Sequence, residues 1–440
     1  MIVLKFGGTS VGTADSIKKV CGIIKSAKEP YVVVSAVSGV TDKLIEAAEC
    51  AKAGKDVRAT LNEIRSKHTC IMYSLDLDKT LLDAELEALK GALHEISNLK
   101  ELNLKARDTI LSFGERMSSK LISEYLRASG LASKHYTGWD AGIVTDSEFT
   151  KANYLEASFE NIQKRMSKLD HIPVITGFIA KNKNNEITTL GRGGSDTTAA
   201  LIGAGVGASE IQIWSDVNGV MTSDPRICKE AKTLDVLSFQ EAAELAYFGA
   251  KILHPQTIQP AMKKQIPVVV KNTFNPKHPG TRVVHKKGKR NAVTGIAVKK
   301  SITEYTIESG RMLNACGFLS RIFNVFNENK VSVDMVATSE VSVSLTVDEA
   351  PHNMKDVLAE LSKIGNVTSK HNHSIICIVG DGITDNPKLK GEIINTIASN
   401  DIHIKMISQG ASSINIGLVV DDKDAEKAVL ALHKRFIENN

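Results

Sequence analysis

Hydrophobic and polar positions along this chain change period several times, and each change predicts an element. IVLKF (2–6) is a β-branched apolar run, after which Ile17, Val20, Ile24 and Ala27 recur at helical spacing. YVVVSAV (31–37) predicts a second buried strand. Residues 41–130 carry long amphipathic stretches and predict a mostly helical segment, with Leu121, Ile122, Tyr125 and Leu126 on one stripe after FGER. Strands resume at IPVITGFIA (172–180), EIQIWSDV (210–217) and IPVVVKNT (267–274). This alternation over the first two-thirds predicts an α/β sandwich around a largely parallel sheet.

Near 275–295 the pattern breaks, where NPKHPGT and KKGKRN gather proline, glycine and charge. Beyond the break lies an internal repeat. Ile322, Phe323 and Phe326 match Ile393, Ile394 and Ile397, and Val331, Val333 and Met335 match Ile402, Ile404 and Met406. After a two-residue insertion, Leu345 and Asp348 match Leu418 and Asp421. Each copy predicts an amphipathic helix followed by two alternating strands.

Composition narrows the class. A chain of 440 residues exceeds one ordinary core, so two or three domains are expected. With 42% hydrophobic and 24% charged residues it is a soluble globular protein by composition. A net charge of +5 with both signs interspersed argues against nucleic acid and suits small anionic substrates in a local pocket. HKKGKR (285–290) reads as a solvated linker. The six cysteines are scattered with no CxxC pair and the histidines sit at no metal spacing, so no metal site and a cytoplasmic, reducing setting are expected. His254, His371 and His373 are read as structural. The apolar run before Lys5 is too short for a signal peptide, and no membrane span is expected.

Several segments carry candidate chemistry. In KFGGTSVG, Lys5 precedes Gly7 and Gly8, so this is not the GxxxxGK[ST] loop, yet it keeps a cation, bare backbone and a helix to follow. It is either a phosphate cradle or a strand–turn–helix junction. TLGRGGSDTTAA (189–200) offers a second glycine turn, with Ser195 or Asp196 as helix cap and Arg192 as a fork for carboxylate or phosphate. Ser215 and Asp216 follow a strand end, where open α/β sheets place ligands. Asp224-Pro225-Arg226 forms a turn that also suits a nucleotide contact, and Lys271 closes a strand. SFGERMSS places Glu115 and Arg116 at an expected helix start, as an ammonium site or a helix-dipole partner. No nucleophile–base arrangement appears. A carboxylate acceptor would need none, because it is already ionised near neutral pH.

Taken in order, KFGGTSVG, VVSAVSGVTD, SFGERMSS, VITGFIA, TLGRGGSDTTAA, WSDVNGVMTSDPR and VKNTFNP resemble aspartate kinase, of the amino-acid kinase superfamily. The tail resembles its paired ACT domains. The resemblance implies a three-layer α/β/α sandwich over 1–285, then two ferredoxin-like α+β regulatory domains at 296–370 and 371–440. It implies Mg²⁺-ATP-dependent phosphorylation of L-aspartate to 4-phospho-L-aspartate, the entry to lysine, threonine and methionine synthesis. Lys5 and Asp196 would be catalytic. Gly7, Gly8, Thr9, Ser10, Ser215, Asp216, Met221, Asp224, Arg226 and Lys271 would hold ATP. Thr41, Glu115, Arg192, Gly194 and Ser195 would hold aspartate. Met221 stands where the family commonly has tyrosine, which removes a phenol hydrogen bond. Met312, Gly317, Phe318, Leu319, Ser332, Val333, Asp334, Thr338, Ser339 and Glu340 resemble the pocket of lysine-inhibited relatives, with Ala315 where some have serine. MISQGASSIN (406–415) lacks that signature and reads as an association surface, so a homodimer or dimer of dimers is expected. A kinase for glutamate or N-acetylglutamate, and a lysine sensor without turnover, are the rival readings.

Overall fold

β-Branched runs become the strands, and their register decides where the glycine turns end up. The computed structural model describes all residues except 250–252, 254, 287, 289–291, 313–315, 349–352, 411–413 and 440, so His254 and Ala315 lie outside the described residues. Contacts divide the chain into two compact units. The first comprises 1–220, 235–239 and 252–287; the second comprises 221–234, 240–251 and 288–440.

In the first unit the strands are β1 (Ile2–Phe6), β2 (Pro30–Val34), β3 (Ser133–Tyr136), β4 (Val144–Thr145), β5 (Ile172–Thr176), β6 (Ile179–Asn182), β7 (Ile187–Thr189), β8 (Glu210–Ser215), β9 (Val236–Ser238), β10 (Val268–Asn272) and β11 (Thr281–Val284). Among the described residues they form an eight-stranded sheet in the order β3-β5-β2-β1-β8-β10-β11-β9, while β4, β6 and β7 pair separately. From β3 to β10 every pairing is parallel. Val3, Leu4 and Phe6 are wholly buried, as expected of a strand covered on both faces.

The helices are α1 (Ala14–Ser26), α2 (Val40–Lys52), α3 (Arg58–Ser74), α4 (Asp83–Leu99), α5 (Leu104–Ala128), α6 (Ala157–Met166) and α7 (Gly194–Val206). Leu4, Phe6, Val32 and Val34 share one core with apolar faces of α1 to α5. On the other side α7 packs on β1 and β8 and is flanked by α6. The result is the expected α/β/α layering. The chain places β2 on one side of β1 and returns with β8 on the other, so the strand order switches at β1. Open α/β sheets bind ligands outside the carboxyl ends of strands at such a switch. A hollow of about 560 Å³ lined by Glu29, Tyr31 and His171 opens instead by the amino ends of β2 and β5, away from this edge.

One expectation fails here. SFGER does not open a helix: Glu115 and Arg116 sit in mid-course of the 25-residue α5, which starts under an Asn103 cap. The helix-dipole reading of Glu115 is therefore withdrawn.

Helix α9 (Gln259–Lys263) belongs to the first unit, and the second holds nearly all of α8 (Phe239–Tyr247). The second unit continues with β12 (Gly295–Glu308), α10 (Phe318–Glu328), β13 (Met335–Thr338), β14 (Ser342–Asp348), α11 (Met354–Leu361), β15 (Asn366–Val379), α12 (Pro387–Ala398), β16 (Met406–Ser408), β17 (Asn415–Asp421) and α13 (Asp422–His433). Among the described residues these strands form one antiparallel sheet, β13-β14-β12-β15-β17-β16. Each repeat gives the helix and two strands expected. Ile322, Phe326 and Leu345 are core in the first copy, and Ile393, Ile397 and Leu418 in the second. The cores do not follow the chain in a simple order, because Val293 and Ile296, which precede the first repeat, complete the core of the second. Among the described residues no helix is long and apolar enough to cross a membrane.

Candidate functional site

Parallel register puts Lys5 beside Val33 of β2 and Ile213 of β8, with Lys271 beside Trp214 at the same sheet edge. The turn after β1 is stitched to its neighbours. Gly7 N–H donates to the Trp214 carbonyl at 3.1 Å, and Ser38 N–H donates to the Gly8 carbonyl at 3.2 Å. Ser10 is wholly buried, and its hydroxyl lies 2.7 Å from that of Thr273, whose N–H in turn reaches the Ser215 carbonyl. Ser10 therefore ties the glycine turn to the exits of β8 and β10, while Thr9 is exposed and Gly7 and Gly8 are half-buried. Lys271 Nζ lies 5.3 Å from the Trp214 ring centroid, a cation–π contact that orients its ammonium.

Lys5 Nζ lies 2.7 Å from Asp196 Oδ1, and both side chains are largely buried. Partial removal of water strengthens this pair and fixes where the ammonium sits. Asp196 is in the first turn of α7. The expectation that Ser195 or Asp196 caps this helix is corrected: Gly193 is the N-cap, with φ of +71° and no side-chain cap bond. That left-handed backbone favours glycine, and a Cβ there would also meet Thr257 Cγ2 at 2.5 Å. The start of α2, which carries Thr41, is likewise uncapped by a side chain after Gly39. Uncapped amino ends leave N–H donors and the positive end of the helix dipole for an anion. By contrast, α1 does not turn a free end on Gly7 and Gly8 as expected. It begins only at Ala14, closed by a capping box between Thr13 and Ser16.

Glu115 is 4% exposed. Its Oε1 accepts from Ala36 N–H at 3.1 Å, while Oε2 is buried with no hydrogen-bond partner among the described residues. Burial pushes its carboxyl up to about 8, against the pull of the Ala36 N–H and the Lys5 charge. Such a group holds a proton until a cation arrives beside it. Helix α5 reaches this point only because Gly114 has no side chain: a Cβ there would lie 2.8 Å from that of Ala36. Ser118 Oγ also donates to the Ser35 carbonyl at 2.8 Å. Arg116 turns away, towards Glu85 at 3.9 Å on α4 and over the Phe113 ring.

Sequence reasoning missed Asp108, one of the buried carboxylates of the same helix. It accepts from Thr150 N–H, Thr189 N–H and Thr189 Oγ1, all at 2.8–2.9 Å, and so pins the strand that leads into the Gly191–Gly194 turn. A sequence signal was absent because its partners are distant along the chain. Arg192, within that turn, is exposed and makes no ion pair among the described residues.

Met221, Asp224 and Arg226 belong to the second unit. Met221 bridges to Thr233, and Arg226 clasps Asp224 with Nη2–Oδ2 at 2.6 Å. The Arg226 hydrogen bonds hold the Asp224 carboxyl below its ordinary value.

In the same unit the effector-like residues gather around α10 and the β13–β14 hairpin. Phe318 is core, and Met312 and Val333 pack on its cluster. Gly317 is the uncapped amino end of α10; Leu319, Thr338, Ser339 and Glu340 are exposed. Asp334 is already occupied: Lys299 Nζ lies 2.7 Å from Oδ1 and the Tyr247 hydroxyl donates to it at 2.6 Å, leaving Oδ2 buried with no hydrogen-bond partner among the described residues. Lys299 also reaches Asp348 at 2.7 Å.

Residues 1–272 match the amino acid kinase family, and 306–362 with 376–436 match an ACT domain. Aspartokinase 2, chloroplastic, of Arabidopsis thaliana is 40% identical over 460 residues, covering 100% of this chain and 84% of the relative. Lysine-sensitive aspartokinase 3 of Escherichia coli is 34% identical, covering 100% and 99%. The crystal structure of E. coli aspartokinase III in complex with aspartate and ADP (R-state) superimposes with a TM-score of 0.85 at 32% identity, covering 99% of both chains.

Proposed function

The chain belongs to the amino acid kinase family and within it to the aspartokinases, and from that premise we propose how its residues divide the work. The observation that carries the reading is the Lys5–Asp196 pair, set at the carboxyl edge of β1 by the first turn of α7. The chain transfers a phosphoryl group from ATP to the side-chain carboxylate of L-aspartate. Arg192, uncommitted and forked, takes the α-carboxylate, and Glu115 Oε2 takes the ammonium. Thr41, Gly194 and Ser195 line the same pocket. With both ends of the amino acid clamped, only the side-chain carboxylate is free to attack, and it needs no general base.

Gly7, Gly8 and Thr9 meet the phosphates with bare backbone and a hydroxyl, and Ser10 positions that turn through Thr273. Ser215, Asp216 and Lys271 serve the nucleotide side. Lys5 stabilises charge on the phosphoryl group as it moves, and Asp196 keeps its ammonium in place. A magnesium ion that arrives on the phosphates needs few protein carboxylates, and it would neutralise the phosphate charge.

Lysine regulation is supported by the lysine sensitivity of the E. coli relative and by the chemistry of Asp334, a buried carboxylate that already holds an ammonium, that of Lys299. A free lysine competes with Lys299 or shares Asp334 through Oδ2, with Glu340 as its second carboxylate. ACT units pairing edge to edge make the assembly a homodimer or dimer of dimers, and inhibition is a shift between two conformations of different lysine affinity.

The deciding assay is acyl-phosphate formed from L-aspartate with Mg²⁺-ATP and trapped by hydroxylamine, with and without L-lysine. Turnover that lysine suppresses is expected; no turnover would overturn the site assignment, and turnover indifferent to lysine would overturn only the regulatory reading. Arg192→Ala should raise the aspartate KM by about 10²-fold, the loss of a charge-assisted bidentate contact, with kcat changed far less. An unchanged KM would place the carboxylate clamp elsewhere. Glu340→Ala should shift the lysine inhibition midpoint upward by at least about tenfold with uninhibited turnover intact; full inhibition at the original concentration would remove Glu340 from the pocket.

A further inference from the structure

Three groups in the second unit meet at a place no sequence spacing announces. Cys228 and His433, 205 residues apart, are both buried, with Sγ 3.2 Å from Nδ1. Glu438 Oε1 approaches the same Nδ1 at 2.8 Å. The three donor atoms lie within 4.8 Å of one another. Glu438 gets there because α13 ends in a π-helical turn, Lys434–Glu438, which brings residues five apart into line. In an α-helix that spacing would set them on different faces. π-Turns of this kind are frequent at functional sites.

Nδ1 can carry one proton or one lone pair. It can donate to Glu438 or accept from the Cys228 thiol, but not both at once. A cation at the centre satisfies all three. The other ring nitrogen is prepared for this: Nε2 lies 2.9 Å from Thr222 Oγ1, which is itself held by Lys232 N–H at 3.0 Å. With Nε2–H donating to Thr222, the Nδ1 lone pair faces the cysteine and the glutamate, the outer-shell arrangement that orients ligating histidines.

We propose that Cys228, His433 and Glu438 form a binding site for a zinc-class divalent cation. A thiolate, an imidazole and a carboxylate select zinc or cobalt over magnesium or calcium. Tetrahedral zinc with such ligands has donor-to-donor edges of about 3.3–3.6 Å. The 3.2 Å between Sγ and Nδ1 is a few tenths short of that edge, and the 2.8 Å opens to it once Glu438, the exposed member, moves outward. Water completes the fourth position, and the thiol proton leaves to buffer on binding. The ion staples the end of α13 to the 221–234 segment, which carries the Asp224–Arg226 clasp. The site is independent of the aspartate and nucleotide assignments above.

The test uses the full chain, stripped with chelator and titrated with Co²⁺ in the absence of nucleotide. One equivalent should bind with a thiolate-to-cobalt charge-transfer band, and Zn²⁺ should displace it. Cys228→Ser should abolish the band, and Glu438→Gln, a change at an exposed position, should weaken Co²⁺ binding by at least about tenfold. A chain without the band, or one whose band survives Cys228→Ser through the exposed thiols Cys70 and Cys316, overturns the proposal. Should Cys228→Ser fail to fold, Glu438→Gln decides alone, and Co²⁺ affinity equal to the parent chain overturns the site.

Discussion

Lys5→Ala is expected to lower kcat by about 10²–10³-fold in a chain that remains folded, the usual cost of removing one preorganised donor from a developing negative charge. Lys5 is placed by the central strand of the parallel sheet and is largely buried, and its ammonium has one ionic partner among the described residues, Asp196 at 2.7 Å. The substitution also leaves Asp196 uncompensated, which adds a destabilising component unrelated to chemistry. The double variant Lys5→Ala with Asp196→Asn separates the two. Its stability should recover in denaturant melts while kcat stays low, and its kinetic losses should be far from additive because the pair acts as a unit. Near-normal turnover in either variant would remove Lys5 from the reaction.

Glu115→Gln should raise the aspartate KM by about 10²-fold or more, since truncating one partner of a buried charge pair costs about 2–5 kcal/mol. The pH dependence is the sharper signature. In the free enzyme the Glu115 carboxyl is pushed up to about 8, yet an ammonium needs it ionised. For the parent chain kcat/KM for aspartate should therefore fall about tenfold per unit as pH drops below about 8, whereas the glutamine variant should lose this limb. The stability sign runs the other way. Between the ordinary 4.5 and about 8 the folded chain keeps a proton that the unfolded chain has released, so folding weakens as pH rises through that window. Denaturant melts across the window should show this slope in the parent chain and a smaller one in Glu115→Gln. A parent profile without the limb would mean Glu115 does not meet the ammonium.

Much of the fold was legible because its signals are local. IVLKF, YVVVSAV and IPVVVK became parallel strands, since β-branched apolar runs fit a sheet buried on both faces. The repeat was legible too: Ile322 with Ile393, and Leu345 with Leu418, entered corresponding cores. The misplaced elements failed for local reasons as well. FGER predicts a helix start, but Gly114 serves close packing on Ala36 inside an unbroken helix. Ser195 and Asp196 looked like caps, yet Gly193 alone tolerates the left-handed backbone at that junction.

From the sequence by itself follow the Gly7–Gly8 turn at a strand end just after Lys5, the second glycine turn before a helix, the succession of strands and helices along the chain and the duplicated tail. Each depends on neighbours a few residues apart, where backbone sterics and periodicity act. Only the tertiary structure decided that Asp196 would hold Lys5, that Glu115 would keep a bare oxygen, that Lys299 would already occupy Asp334, and that Cys228 would meet His433 and Glu438. Those meetings depend on strand order, register and helix length acting over long separations. No local preference encodes them, because the energy of each contact exists only after the sheet has brought its partners together.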